Sequence, residues 1–213
     1  MINIQTLRKE YTKEALDISI VHCSPIIQFK LWFEEALNAE VNETNAMVLS
    51  TISSENKPSA RVVLLKGFDE AGFSFYTNYE SKKGKELAQN PHACLTFFWP
   101  ELERQVRIEG VIAKVSKKES DDYFAVRPKG SQIGAWASPQ STVIASRDIL
   151  VQNQEALENK YAHKEVERPE HWGGYVLKPD LIEFWQGRHS RLHDRICYTL
   201  QENSGWKIER LAP

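Results

Sequence analysis

The amino-acid sequence predicts a mainly β fold with peripheral helices (α+β), its antiparallel strands closing into a barrel. Three observations carry this. From Ala46 onward the chain breaks into roughly nine short runs of strand character, separated by turn residues. Helical stretches interrupt these runs without the strand–helix–strand rhythm of a parallel sheet. No Gly-rich phosphate loop follows a strand, which argues against Rossmann and P-loop folds.

The elements follow in order. Met1–His22 is polar and weakly patterned, and on pattern alone reads as a mobile tail. Ser24-Pro25 opens a helix as N-cap and first-turn proline, with Ile26, Phe29, Phe33, Ala36 and Leu37 as its core stripe. Strands are expected at Ala46–Ile52, Ser59–Phe68 and Phe73–Thr77, the last two joined by the turn Asp69-Glu70-Ala71-Gly72. Ser81 caps a short helix over Lys82–Gln89, ended by Asn90-Pro91. Strands His92–Trp99 and Arg104–Val115 come next. Ser116-Lys117-Lys118-Glu119 matches a capping box and starts a helix that ends before Arg127-Pro128. Ser131–Ala137 and Ser146–Lys160 are helical, and Ala162–Glu170 is a charged loop. Strands resume at Tyr175–Leu177, Leu181–Trp185, Arg195–Leu200 and Trp206–Leu211. No linker rich in Pro, Gly or Ser divides the chain, so residues 23–213 read as one domain behind an N-terminal segment, residues 1–22.

Composition narrows the function. A net charge of -2 and a pI near 6.3 disfavour a nucleic-acid binder. Cys23, Cys94 and Cys197 are widely spaced and form no CxxC pair, which points to neither a zinc site nor a disulfide framework and fits the reducing cytoplasm. No apolar run approaches membrane-spanning length, and the first residues lack the apolar core of a signal peptide.

Four stretches carry candidate chemistry. In Glu183–Arg195, a loop at Gln186–Ser190 precedes Arg191, His193 and Arg195, which alternate and would share one face of an extended chain. Two guanidiniums beside an imidazole make an anion-facing, proton-capable surface; a solvated edge strand is the plain alternative. Ser81-Lys82-Lys83 sits at a helix start, where free N–H groups, the helix dipole and two ammoniums would hold a phosphate, or would simply form a basic turn. Arg61 and Lys66 bound a strand and, five apart, would face opposite sides unless a bulge or a ligand recruits both. Tyr123 and Arg127 share a helix face, with Ser131 just beyond, as a second phosphate cradle. Neither cradle has the carboxylate or histidine cluster a metal needs.

These residues lie in blocks with a recognisable order: RKEYT, RVVLLK, FYTN, SKK, ERQVRIEG, YFAVRP with SQIGAW, SPQS, WGG, EFWQG with RLHDR, and WKIERLAP. Together they resemble the pyridoxine (pyridoxamine) 5′-phosphate oxidase family, from Arg8 to Pro213. The resemblance implies a split β-barrel homodimer with FMN in two clefts at the subunit interface. It implies oxidation of pyridoxamine or pyridoxine 5′-phosphate by O2 to pyridoxal 5′-phosphate, with release of H2O2. It assigns flavin binding to Arg61, Val62, Val63, Leu64, Leu65, Lys66, Tyr76, Thr77, Lys82, Lys83, Gln105, Gln140, Ser141, Trp185 and Arg195. It assigns the substrate phosphate to Lys66, Tyr123, Arg127 and Ser131, and the pyridine ring to Arg191, Leu192 and His193, with Arg191 and His193 catalytic. Arg8, Lys9, Glu10 and Tyr11 would close over the site, which turns the tail into a lid. Three departures stand out: Lys82 for a usual Arg, Arg188-His189-Ser190 for a Gly-Glu-His type of loop, and Glu43 for a common Asp. Two other readings keep part of this pattern. A split-barrel flavin reductase would retain the flavin set without needing Tyr123, Arg127, Ser131, Arg191 and His193 together. A pyridoxal phosphate carrier would hold the vitamer without turnover.

Overall fold

The structure is a computed structural model and describes residues 10–213. Its helices are α1 (Pro25–Asn38), α2 (Lys82–Gln89), α3 (Lys117–Ala125), α4 (Lys129–Ala137) and α5 (Asp148–Lys160). Its strands are β1 (Ala46–Ile52), β2 (Pro58–Leu64), β3 (Gly67–Asp69), β4 (Gly72–Asn78), β5 (His92–Trp99), β6 (Arg104–Lys114), β7 (Trp172–Gln186), β8 (Asp194–Leu200) and β9 (Trp206–Arg210). Ser24, Ser81 and Ser116 cap the first three helices as expected, each Oγ accepting the N–H of the residue three positions on.

All strands belong to one antiparallel sheet in the order β2-β1-β5-β6-β7-β4-β3, with β8 on β7 and β9 on β8. The path ends at β2 and β3, so the sheet curls into a half-barrel rather than closing through a ladder at that seam. Two expectations about strands need correction. The run Ser59–Phe68 is not one strand, because the chain changes partner at its middle. β2 pairs with β1 as far as Leu64, whereas the N–H of Lys66 already bonds the Ser74 carbonyl, on β4. Conversely, Tyr175–Leu177 and Leu181–Trp185 are halves of one 15-residue strand, β7. Its first half pairs with β4 and its second with β8, while β6 runs along the other edge of both. The register on β6 slips between Glu109 and Gly110, so Pro179 and Asp180 are absorbed as a bulge. A Cβ on Gly110 would lie 2.0 Å from the Lys178 carbonyl oxygen, so only glycine fits against the bulge.

The main core lies between α1 and the inner face of the sheet. Phe29 is fully buried and meets the rings of Phe68, Phe73 and Phe97 at 4.9–5.1 Å. Trp32 belongs to this stripe, packed edge-on against Phe184, whereas Leu37 is half exposed and does not. A second core of Phe124, Ile133, Tyr161, Val166 and Trp172 joins α3 and α4 to the start of β7. No helix among the described residues is long and apolar enough to cross a membrane.

Candidate active site

A cleft of about 670 Å3 runs between β2, the start of β4's following helix, and α3–α4. Its wall includes Arg61, Val62, Val63, Leu64, Lys66, Tyr76, Thr77, Lys83, Tyr123, Arg127, Ser131 and Gln140. Residues from four separate sequence blocks therefore meet in one place. The partner change after Leu64 explains how Arg61 and Lys66 both reach it: a regular strand would have turned them to opposite faces, and the break between β2 and β3 removes that constraint.

One end of the cleft is a cradle of cations. The Lys83 ammonium donates to Thr77 Oγ1 at 3.1 Å and Gln140 Oε1 at 3.1 Å, both neutral. Burial and the neighbouring Arg61 charge together push the Lys83 pKa below its ordinary value. Arg61 is held from behind. Its guanidinium donates to Ser59 Oγ at 2.6 Å, Thr51 Oγ1 at 2.6 Å and Glu86 Oε2 at 3.1 Å. Glu86, buried on α2, was not singled out in the sequence; a buried acid three residues after Lys83 looks like any exposed helical acid. Lys82 points elsewhere. Its ammonium is largely exposed, 3.9 Å from Glu86 Oε1, and it shares a neighbouring hollow with Ser141 and Gln140.

The other end is aromatic and carries one cation. Tyr123, Tyr76 and Trp172 stack, with Tyr76–Tyr123 centroids 3.9 Å apart and Tyr76–Trp172 centroids 5.6 Å apart. Burial pushes the Tyr76 hydroxyl up to about 12, so it stays protonated at neutral pH. Arg127 lies over Trp172 at 4.4 Å. Its Nη1 is buried with no hydrogen-bond partner, and burial lowers its pKa. Trp172, the first residue of the WGG block, was not assigned a site role from the sequence.

The C-terminal set forms a second group. Gln105, Trp185 and Arg195 are register neighbours across β6, β7 and β8. Trp185 lies 4.6 Å from the His193 ring, and Tyr11 meets both rings at 5.7 and 5.8 Å. Arg191, His193 and Arg195 do not alternate along a strand. Arg191 ends a 3-10 turn, His189–Arg191, in which Ser190 and Arg191 have φ of 57° and 63°, and β8 begins only at Asp194. Leu192 is largely exposed. The Arg188 N–H donates to His193 Nδ1 at 3.1 Å, which leaves the neutral ring's proton on Nε2. Burial first, and the Arg191 charge second, lower the His193 pKa. Arg195 is clasped by the buried Glu183 carboxylate at 2.8 and 3.1 Å, and Arg107 reaches the same carboxylate at 2.9 Å. Glu183 is a further residue that sequence reasoning passed over. Glu10 is exposed, its carboxylate 3.6 Å from His189 Nδ1, and Arg8 and Lys9 lie outside the described residues.

Among the described residues, no hydrogen bond, ion pair or ring contact joins this group to the cleft.

Comparison with known proteins places this architecture. A family model described as pyridoxamine 5′-phosphate oxidase matches residues 33–161. The chain belongs to the pyridoxamine 5′-phosphate oxidase family. A second model, the C-terminal dimerisation region of pyridoxine 5′-phosphate oxidase, matches residues 172–213. The chain is 58% identical over 211 residues to the pyridoxine/pyridoxamine 5′-phosphate oxidase of Acaryochloris marina, covering 99% of this chain and 96% of that one. It is 56% identical to the enzyme of that name from Paraburkholderia phymatum, over the full length of both. Among solved structures it resembles PhzG from Burkholderia lata, in complex with tetrahydrophenazine-1-carboxylic acid, at TM-score 0.90 and 29% identity, covering 96% of this chain and all of that one. An FMN-binding protein from Nostoc punctiforme shares the split-barrel fold at TM-score 0.70 and 17% identity, over 87% of this chain and 97% of that one.

Proposed function

We propose that this chain is an FMN-dependent oxidase that converts pyridoxamine or pyridoxine 5′-phosphate to pyridoxal 5′-phosphate, working as a homodimer. In the balanced reaction the amine consumes one O2 and one water and yields pyridoxal 5′-phosphate, H2O2 and NH3; the alcohol consumes O2 and yields the aldehyde and H2O2. The relatives' names support the reaction. The observation that carries the site reading is Arg127, a half-buried arginine on the cleft wall whose Nη1 is buried and unpartnered. Such a group calls for an anion, and Tyr123, Ser131 and Lys66 line the same cleft with the donors that a phosphate ester needs.

The cation cradle fits the phosphate of FMN. Lys83 has only neutral oxygens around it, and the positive end of α2 adds to its field. Arg61, Lys83, Thr77 and Gln140 would hold that phosphate, and Val62–Lys66 would lie along the ring system. When bound, FMN supplies the acceptor for a hydride from C4′ of the substrate. This chain's own residues do the rest. Arg127, Ser131 and Tyr123 orient the substrate through its phosphate, which brings C4′ into position by proximity. His193 presents Nε2–H as a hydrogen-bond donor to the C4′ substituent, and its lowered pKa favours that neutral ring. Arg191 balances charge on the pyridine ring.

The homodimer reading rests on the two unconnected groups. Val48, Val62, Leu64 and Phe98 leave an apolar strip on the outer sheet face beside the cleft. A second copy seated there would bury this strip and bring its own Trp185, His193 and Arg191 to the cleft. Peroxide release from pyridoxamine 5′-phosphate, compared with unphosphorylated pyridoxamine, tests the whole assignment. No peroxide from either, with flavin bound, would remove the oxidase reading in favour of a carrier.

A further inference from the structure

We propose that Glu103 is a positioning residue that seats Tyr11 against His193, gripping the N-terminal segment with its carboxylate and the Gly187 loop with its carbonyl. The functional half of this rests on the oxidase reading above, together with the resemblance that has Tyr11 close over the site.

Glu103 ends the turn between β5 and β6 and is 2% exposed. Its Oε2 accepts the N–H of Thr12 at 2.9 Å and of Lys13 at 3.2 Å. Its carbonyl accepts the N–H of Gly187 at 2.8 Å and Gln186 Nε2 at 3.3 Å. One residue therefore ties together two segments that each lie more than 80 positions from it, one on either side in the chain. The segments meet where it holds them. Tyr11 lies against Trp185 and His193, and a Cβ on Gly187 would stand 2.6 Å from Tyr11 Cγ. Gly187 is thus the seat, and Glu103 sets both the seat and the chain that occupies it. Glu14 on Arg104 at 2.7 Å, and the Leu16 N–H on Asp194 Oδ2 at 3.1 Å, continue the strapping beyond the grip.

Glu103 also holds φ at 56°, the left-handed region that costs a side-chain-bearing residue about 1 kcal/mol or more. A carboxylate placed there against local preference is consistent with a role that the turn itself does not require.

Two variants separate positioning from mere support of the fold. Glu103→Gly suits that φ and keeps the main-chain bonds to Gly187 and Gln186, yet removes the carboxylate. Gly187→Ala keeps the carboxylate grip and wedges Tyr11 off its seat. Hydrogen exchange followed by mass spectrometry reads the segment directly, and steady-state peroxide release with pyridoxamine 5′-phosphate reads the site. In Glu103→Gly the Thr12 and Lys13 amides should exchange about tenfold faster or more, while β5–β8 exchange as in the parent. Its KM should rise about tenfold with flavin content unchanged. Gly187→Ala should raise KM similarly while Thr12 and Lys13 stay protected. Unchanged exchange in Glu103→Gly overturns the grip. Faster exchange in Glu103→Gly, with the parental KM in both variants, overturns the seating of Tyr11. An inactive parent chain would sink the oxidase reading alone, because exchange is read without turnover.

Discussion

Replacing Arg127 by methionine should weaken substrate binding while leaving the free protein about as stable as before. In the free chain this guanidinium is a liability: Nη1 is buried and unpaired, and burial already pulls its pKa down. Set against that cost is its contact with Trp172 at 4.4 Å, worth about 1–2 kcal/mol for a partly desolvated cation on an indole. Methionine keeps an apolar and polarisable contact with the same ring, worth about 1 kcal/mol, and needs no anion. The two changes nearly cancel, so stability should move by no more than about 1 kcal/mol. For a chain of this size that is roughly 2–4 °C in Tm, measured at fixed protomer concentration. Binding should change far more. A charged hydrogen bond to phosphate contributes about 1.5–3 kcal/mol, so KM for pyridoxamine 5′-phosphate should rise roughly tenfold to a hundredfold. Flavin content, read from the visible absorbance of the purified protein, should stay normal because the cation cradle is untouched. Arg127→Lys should fall between, keeping charge but losing the planar stack and fork. An unchanged KM together with a Tm loss above about 6 °C would make Arg127 a structural cation and refute the argument.

Lys83→Ala should lower flavin affinity by about tenfold or more, whereas Lys82→Ala should change it only slightly, since Lys82 is exposed outside the cleft; equal losses in a fluorescence titration would reject this division of labour. Arg191→Met should move the acidic limb of the kcat–pH profile to higher pH: the Arg191 charge holds the His193 pKa down, so its loss lets the ring protonate at higher pH. A limb that stays put would show that His193 does not control it. Mixing Arg127→Met with His193→Asn subunits should restore activity, because a shared site lets random exchange rebuild about a quarter of sites intact. No recovery after confirmed exchange would place both residues in one chain's site.

Local chemistry made much of the fold legible in the sequence. The caps at Ser24, Ser81 and Ser116 depend on bonds three residues long, and those were read correctly. What escaped was set by distant pairing. Nothing within Ser59–Phe68 announces that its first half will find β1 and its second half β4, because the apolar character continues through the change. Pro179 reads as a strand break, and only the bulge against Gly110 on β6 lets one strand run through it. Similarly, the alternation of Arg191, His193 and Arg195 held no information about the positive φ at Ser190 and Arg191 that breaks it. At the site, the cations were visible as residue types, and their joint placement came from the family resemblance. The acids that hold them were invisible, since Glu86, Glu103 and Glu183 resemble surface carboxylates until burial is known.

Two of those carboxylates divide the electrostatics of the chain in a consistent way. Glu86 and Glu183 are each nearly fully buried and each clasp an arginine, Arg61 and Arg195, that the resemblance assigned to the flavin. A pair of this kind adds little net stability, because desolvating both ions offsets their attraction. What it fixes is direction: a guanidinium held from behind loses little freedom when an anion arrives in front. Lys83 and Arg127 have no such carboxylate among the described contacts, and both have depressed pKa values. The cleft therefore contains two kinds of cation. Arg61 is oriented in advance by a permanent partner, while Lys83 and Arg127 stand short of negative charge. On the oxidase reading, the two shortfalls match two phosphates, one at Lys83 for the cofactor and one at Arg127 for the substrate. That predicts that binding either phosphate should stabilise the folded chain by relieving a half-buried charge, read as a rise in Tm when FMN or pyridoxal 5′-phosphate is added to the flavin-free protein.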